Sequence, residues 1–178
     1  MPTIHLETFI RAPVELCFDL SRSVDVHMAS TGHTGERAVA GVTSGMMNLY
    51  DEVTWEAKHF GVRGRLTSRI TAMERPRIFV DEMQRGAFKR WHHAHTFEPH
   101  EDGTLMIDTA FYSSPLGLLG HIADRLFLKR YMTRLLLARN AHIKRVAEEE
   151  AGKKELTGID RMKIHEDRSV PPAVAGGS

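Results

Sequence analysis

A single cysteine, Cys17, stands in a chain of 178 residues, so no internal disulfide can form, and no CxxC or Cys/His zinc spacing occurs. That scarcity suits a reducing compartment, and a cytoplasmic location is expected. An excess of one charge is lacking too: 24 basic against 23 acidic residues leave a formal net charge of +1. Nothing global therefore steers the chain toward nucleic acid or anionic lipid. Long apolar runs are missing. The longest, around Pro115 to Ile122, is broken by two glycines and a histidine and falls far short of the roughly 20 residues of a spanning helix. The opening MPTIHLETFIRAP lacks the basic-then-apolar order of a signal peptide, so secretion is not expected. GxSxG, Walker and dinucleotide fingerprints are absent. What is left is the composition of one ordinary soluble domain, 42% hydrophobic and 26% charged. Such a chain can bury a core without disulfide or metal. Histidine alone is in excess: there are eleven, with His92, His93 and His95 inside four positions.

Hydrophobic periodicity organises the first 150 residues. Thr3 to Arg11 sets Ile4, Leu6, Thr8 and Ile10 on one face, which predicts a strand. Pro13 at a first helical position, followed by Val14, Leu16, Cys17, Phe18 and Leu20, predicts a short helix, and a second short turn follows Ser23. Gly, Thr and Ser between Ala29 and Gly45 suit turns around one short strand, Glu36 to Ala40. Five longer strands follow at Leu49 to Phe60, Val62 to Met73, Ile78 to Arg85, Phe88 to Glu98 and Thr104 to Tyr112. Gly61, Glu74 to Arg77, Gly86 and the PHEDG run at Pro99 to Gly103 separate them. Such a meander cannot leave its apolar face in water.

A helical stretch from Ser114 and Pro115 to about Glu150 supplies the cover. At about 100° per residue, Leu119, Ile122, Ala123, Leu126 and Phe127 form one stripe. Leu128, Met132, Leu135, Leu136, Ile143 and Val146 form another, which predicts a break near Leu128 to Tyr131. Residues 151–178 lose this period and end in SVPPAVAGGS, which predicts a polar, disordered tail. The expected division is one α+β domain over 1–150 and a tail over 151–178.

The opening IHLETFIRAPVELCFDLSRSVD, the segment GAFKRWHHAHTFEP and the run SSPLGLLG into RLFLKRYMTRLLLARN resemble the START-like (SRPBCC) superfamily over about residues 3 to 150. His95 stands where that family commonly has an aromatic. The resemblance implies a helix-grip fold: a curved antiparallel sheet of about six or seven strands wrapped on a long C-terminal helix, with two short helices after the first strand. It also implies an apolar cavity for lipids, polyketides, aromatic compounds or hormones. Fold analogy does not choose among them.

Alternation on Phe88 to Glu98 puts Trp91, His93, His95 and Phe97 on one face and Arg90, His92, Ala94 and Thr96 on the other. If the first face looks inward, two imidazoles lie beside aromatics, able to orient a ligand or to act as acid and base near neutral pH. Strand register decides what they meet. One pairing sets His93 opposite Thr109 and His95 opposite Ile107, while a shift by one gives His93 opposite Asp108. A surface Asp108 and an interfacial Tyr112 are expected, and a carboxylate–imidazole pair is the alternative. His93, His95, Asp108 and Tyr112 are the catalytic candidates if there is catalysis. An HxH pair can also ligate a metal, but it needs a third ligand such as Glu82 or Asp108, and no metal or other cofactor is assigned. Trp55, Met83, Trp91, His93, His95, Phe97, Phe111, Leu119 and Ile122 are the expected ligand-binding residues.

Arg63, Arg65 and Arg69 share a sheet face, and Lys129, Arg130, Arg134, Arg139, Lys144 and Arg145 decorate the last helix; both sets are expected to be solvated. No stacking aromatics accompany them, so nucleic acid is not an expected partner. A peripheral membrane contact through an apolar tip at Leu116 to Leu119 stays open, as does the oligomeric state. The expected function is binding or carriage of a hydrophobic or aromatic small molecule, lipid, polyketide or quinone-like. The alternatives are an enzyme of the same fold (cyclase, dehydratase or hydrolase) using His93 or His95 as acid and base, and an interaction protein with a filled core.

Overall fold

The computed structural model describes residues 2–59, 61–86, 88–113 and 127–167. Strand β1 (Thr3–Ile10) leads into two short helices, α1 (Val14–Ser21) and α2 (Val24–Ser30). Six strands follow: β2 (Arg37–Gly41), β3 (Glu52–His59), β4 (Val62–Glu74), β5 (Ile78–Arg85), β6 (Arg90–His100) and β7 (Gly103–Ser113). A long helix, α3 (Lys129–Asp167), ends the described chain. The sheet order is β1-β7-β6-β5-β4-β3-β2, so neighbours in sequence are neighbours in space except where β1 closes on β7. Every pairing is antiparallel. Two irregularities in the β4–β5 ladder, one adding Gln84 to β5 between Met83 and Arg85 and one adding Thr71 to β4 between Ile70 and Ala72, bend the sheet. The α+β helix-grip architecture expected from the sequence is the one observed.

The β6–β7 hairpin differs from both registers read from the sequence. It closes at His100 opposite Gly103, leaving Glu101 and Asp102 as the turn, and sets His95 opposite Asp108 and His93 opposite Ala110. The sequence reading opened the turn at Pro99. Pro99 instead stays in the strand, because beyond Thr96 β6 has no β5 partner and a missing N–H breaks no ladder bond on that side.

The core has two parts. Phe18 of α1 packs edge-on against Phe79 and Phe97, at centroid distances of 5.5 and 5.4 Å, under the end of the sheet where Ile10, Met106, Ile143 and Ala147 are also buried. Ile4, Trp91, Ala110, Tyr112 and Leu136 form the second cluster. On α3 the buried residues Leu136, Arg139, Asn140, Ile143 and Ala147 recur at helical spacing and face the sheet.

Arg139 is thus not on a solvated face: it sits in the middle of the buried stripe, 6% exposed. Nor does the helix stop near Glu150. It runs on to Asp167, although Lys153 to Thr157 are all exposed, because lysine, glutamate and leucine favour helix even without a surface to pack on. The first helical segment expected from Ser114, including Leu119, Ile122 and the Leu116 to Leu119 tip, lies outside the described residues. No described helix is long and apolar enough to cross a membrane.

Candidate functional site

Between the concave sheet face and α3 lies a cavity of about 520 Å³. Alternation along each strand builds its wall: Val53, Trp55 and Ala57 from β3, Leu66, Ser68 and Ile70 from β4, Asp81 from β5, and Trp91, His93 and His95 from β6. α3 contributes Tyr131, Met132, Leu135, Leu136 and Arg139, Leu128 just before it also lines the wall, and α2 adds Val24 and His27. The wall is mostly apolar. Its polar groups collect at two places, and volume and lining both match small-molecule sites, which run to roughly 300–1,000 Å³.

The larger polar group is centred on Asp108, which is fully buried. His93 Nε2 lies 2.9 Å from its Oδ1 and His95 Nδ1 2.7 Å from the same oxygen, the second approach being bent away from hydrogen-bond geometry. Asn140 Nδ2 donates to Oδ2 at 2.7 Å, and Arg139 NH1 is 3.6 Å from Oδ1. On the cavity side of the imidazoles stands Asp81, whose Oδ2 is 3.1 Å from His95 Nε2 and 3.6 Å from His93 Nδ1. Asp81 is the cross-strand partner of His93, as Asp108 is of His95.

Burial alone would raise the Asp108 carboxyl, but the hydrogen bonds and charges of His93 and His95 outweigh it and hold Asp108 well below the usual carboxylate range. Burial likewise opposes ionisation of Asp81, and the His95 hydrogen bond with the charges of His93, His95 and Arg139 lowers it nonetheless. Burial, followed by the neighbouring His95, pushes His93 below the ordinary imidazole value against the pull of both aspartates. At the other polar place His27 stacks on Trp55, with ring centroids 4.2 Å apart, and its Nε2 lies 3.2 Å from Glu36 Oε2.

Of the expected site residues, Trp55, Trp91, His93 and His95 are on the cavity wall. Asp108 and Tyr112 are fully buried, which corrects the expectation of a surface aspartate and an interfacial tyrosine; Asp108 lies directly behind the histidines. Phe97 is inside the aromatic core with Phe18 and Phe79 and off the cavity wall. Met83 packs on the Trp91 and Tyr112 cluster instead of lining the cavity. Phe111 is on the outer face, 38% exposed, with its ring against His92, because it alternates with the inward Ala110 and Tyr112.

Asp81 and Arg139, at the centre of the site, were not among the expected residues. The signal for Asp81 was present, since it lies between Phe79 and Met83 on one strand face; Glu82, weighed as a metal ligand, belongs to the other. Two of the three arginines of the β4 stripe are paired, Arg65 with Glu56 and Arg69 with Glu52.

No family model matches the sequence, and no curated protein matches it significantly. Solved structures do. The chain superposes on TTHA0849 from Thermus thermophilus with a TM-score of 0.64 and 19% identity, over 80% of this chain and 97% of that one. The fold is START-like. Ginseng major latex-like protein 151 from Panax ginseng has the same helix-grip arrangement, with a TM-score of 0.62 at 14% identity over 82% of this chain and 97% of that protein. The di-domain ARO/CYC StfQ from the steffimycin biosynthetic pathway gives 0.66 at 14% identity, over 84% of this chain and 51% of its own. At these identities the START-like likeness concerns the fold alone.

Proposed function

We propose that this START-like chain binds and carries a hydrophobic or aromatic small molecule, lipid, polyketide or quinone-like, between the sheet and α3. The observation that carries the reading is the cavity of about 520 Å³, apolar along the sheet and helix and polar where Asp81, His93, His95 and Arg139 meet. An interaction protein with a filled core has no use for that volume. A ligand with an apolar body and one polar end fits it, the body against Trp55, Leu135 and Leu136 and the polar end toward the histidines. StfQ, which shares the fold, is an aromatase/cyclase, so a second reading has His93 or His95 moving a proton on the bound molecule. The hydrogen bonds of His93 to buried Asp108 and of His95 to Asp81 favour it, because they hold the two rings at the cavity wall.

Native mass spectrometry of the full chain purified from its host tests the first reading. A non-covalent adduct that organic solvent releases is the expected result. Bare chain mass, together with no quenching of Trp55 and Trp91 fluorescence by any apolar probe, would count against it. For the second reading, His95→Gln must abolish turnover of the released molecule while leaving its binding intact.

A further inference from the structure

Four contacts in the buried cluster join an imidazole nitrogen to a carboxylate oxygen. His93 Nε2 and His95 Nδ1 face Asp108 at 2.9 and 2.7 Å; His93 Nδ1 and His95 Nε2 face Asp81 at 3.6 and 3.1 Å. Two neutral imidazoles bring two N–H groups, so two of the four contacts are left as lone pair against carboxylate. Protonating both rings would fill them, but the ring centroids are only 3.8 Å apart and two imidazolium charges there repel. A divalent cation fills both at once if both N–H groups turn to Asp108 and both lone pairs turn to the cavity.

The spacing of the cavity-side donors fits an ion there, provided that the His95 ring turns so that its Nδ1–H, bent away from Asp108 without one, completes that hydrogen bond and frees Nε2 from Asp81. Donor atoms about 2.1 Å from a metal sit roughly 3.0–3.4 Å from one another in octahedral or tetrahedral coordination, close to the 3.1 and 3.6 Å that separate Asp81 Oδ2 from the two nitrogens. Among the described residues Asp81, His93 and His95 form a group whose ligand atoms all lie within 4.8 Å of one another. All three line the cavity, and Asp108 does not. Asp108 therefore has the place of an outer carboxylate that orients metal-bound histidines, itself held by Asn140.

We propose that Asp81 Oδ2, His93 Nδ1 and His95 Nε2 bind one first-row divalent transition-metal ion, with Asp108 orienting both imidazoles and the remaining coordination positions open to the apolar cavity. Two imidazoles and one carboxylate suit zinc, iron, cobalt or nickel better than calcium or magnesium, which prefer all-oxygen shells. The open positions would take an oxygen donor from a molecule in the cavity. This goes beyond the carrier reading and is measured without any apolar ligand, so the two fail separately.

The untagged full chain, stripped with a chelator, is titrated with Zn²⁺ and with Co²⁺. One ion per chain and visible Co²⁺ d–d bands are expected. Asp81→Asn and His95→Gln should each weaken binding at least 100-fold, Asp108→Asn by about 10–100-fold, and exposed His5→Ala not at all. If a variant fails to fold, X-ray absorption of the zinc-loaded wild type decides: two imidazoles on the metal support the site, and any other number overturns it. Absence of saturable one-to-one binding, or binding indifferent to Asp81→Asn and His95→Gln, also overturns it and leaves a shared proton as the occupant of the cluster.

Discussion

Replacing Asn140 by alanine removes the Nδ2 donor that holds Asp108 Oδ2 at 2.7 Å and leaves part of a buried carboxylate without a partner. The cost of an uncompensated buried charge outweighs that of the lost bond, so about 2–4 kcal/mol of stability should go. Thr8→Ala touches only the 3.3 Å contact on the same amide and should cost about 1 kcal/mol or less. Urea unfolding of both variants checks the difference; equal costs would mean that Asp108 finds another donor. At this scale the inward row of β6 was legible, since period-two alternation needs no partner strand, and Trp91, His93, His95 and Phe97 are all buried. Arg139 and Asn140 were not, because a charged or amide residue on a helix is solvated by default, and only distant buried acceptors, the Ser21 carbonyl for Arg139 and the Asp108 carboxylate for Asn140, bring it inward. That carboxylate is 31 residues from Arg139 in sequence, and nothing local announces it.

The strands were legible to within a few residues of their ends, and what escaped was how two of them register. Strand composition and turn residues give each β segment independently, whereas the pairing of β6 with β7 depends on which residues form the turn. Gly103 helps to fix that. Its φ of 154° lies where side chains are strained, and a Cβ there would come within 2.2 Å of the Ile10 carbonyl oxygen on the neighbouring β1. The contact is with backbone that the β1–β7 ladder holds at Ile10 and Thr104, not with a side chain that could turn away. Gly103→Ala should therefore cost on the order of 2–4 kcal/mol, from strain and clash together. Gly61→Ala, at φ 82° but facing open space, should lose only roughly 1 kcal/mol. Chemical denaturation measures both, and amide exchange across the hairpin localises the effect. Protection lost at Thr104 and Ile10 in Gly103→Ala, with β3 and β4 unchanged, is the expected pattern; uniform loss would argue against a register role. The long final helix teaches the converse lesson: periodicity marks where a helix is packed, and α3 continues past the last packed residues on propensity alone.

Across the whole molecule the decisive quantity is space the side chains do not fill. Near-zero net charge and an apolar wall make burial the driving force for a guest, so its affinity should change little with salt, unlike that of a polyanion, which falls steeply. Binding to the folded state stabilises by mass action, about 2.7 kcal/mol when ligand is a hundredfold above its dissociation constant. For a domain of this size that is a rise in Tm of roughly 5–11 °C. Ala57 is buried on β3 and lines the cavity, so Ala57→Phe directs an apolar ring into that volume. The variant should match or exceed the wild-type Tm without ligand, because its ring gains contacts that the cavity lacked. It should also lose most of the ligand-induced rise, because ring and ligand compete for one space. Thermal scans with and without the host-derived ligand separate these effects. A variant that is destabilised and still shows the full rise would place the ligand elsewhere than between sheet and helix.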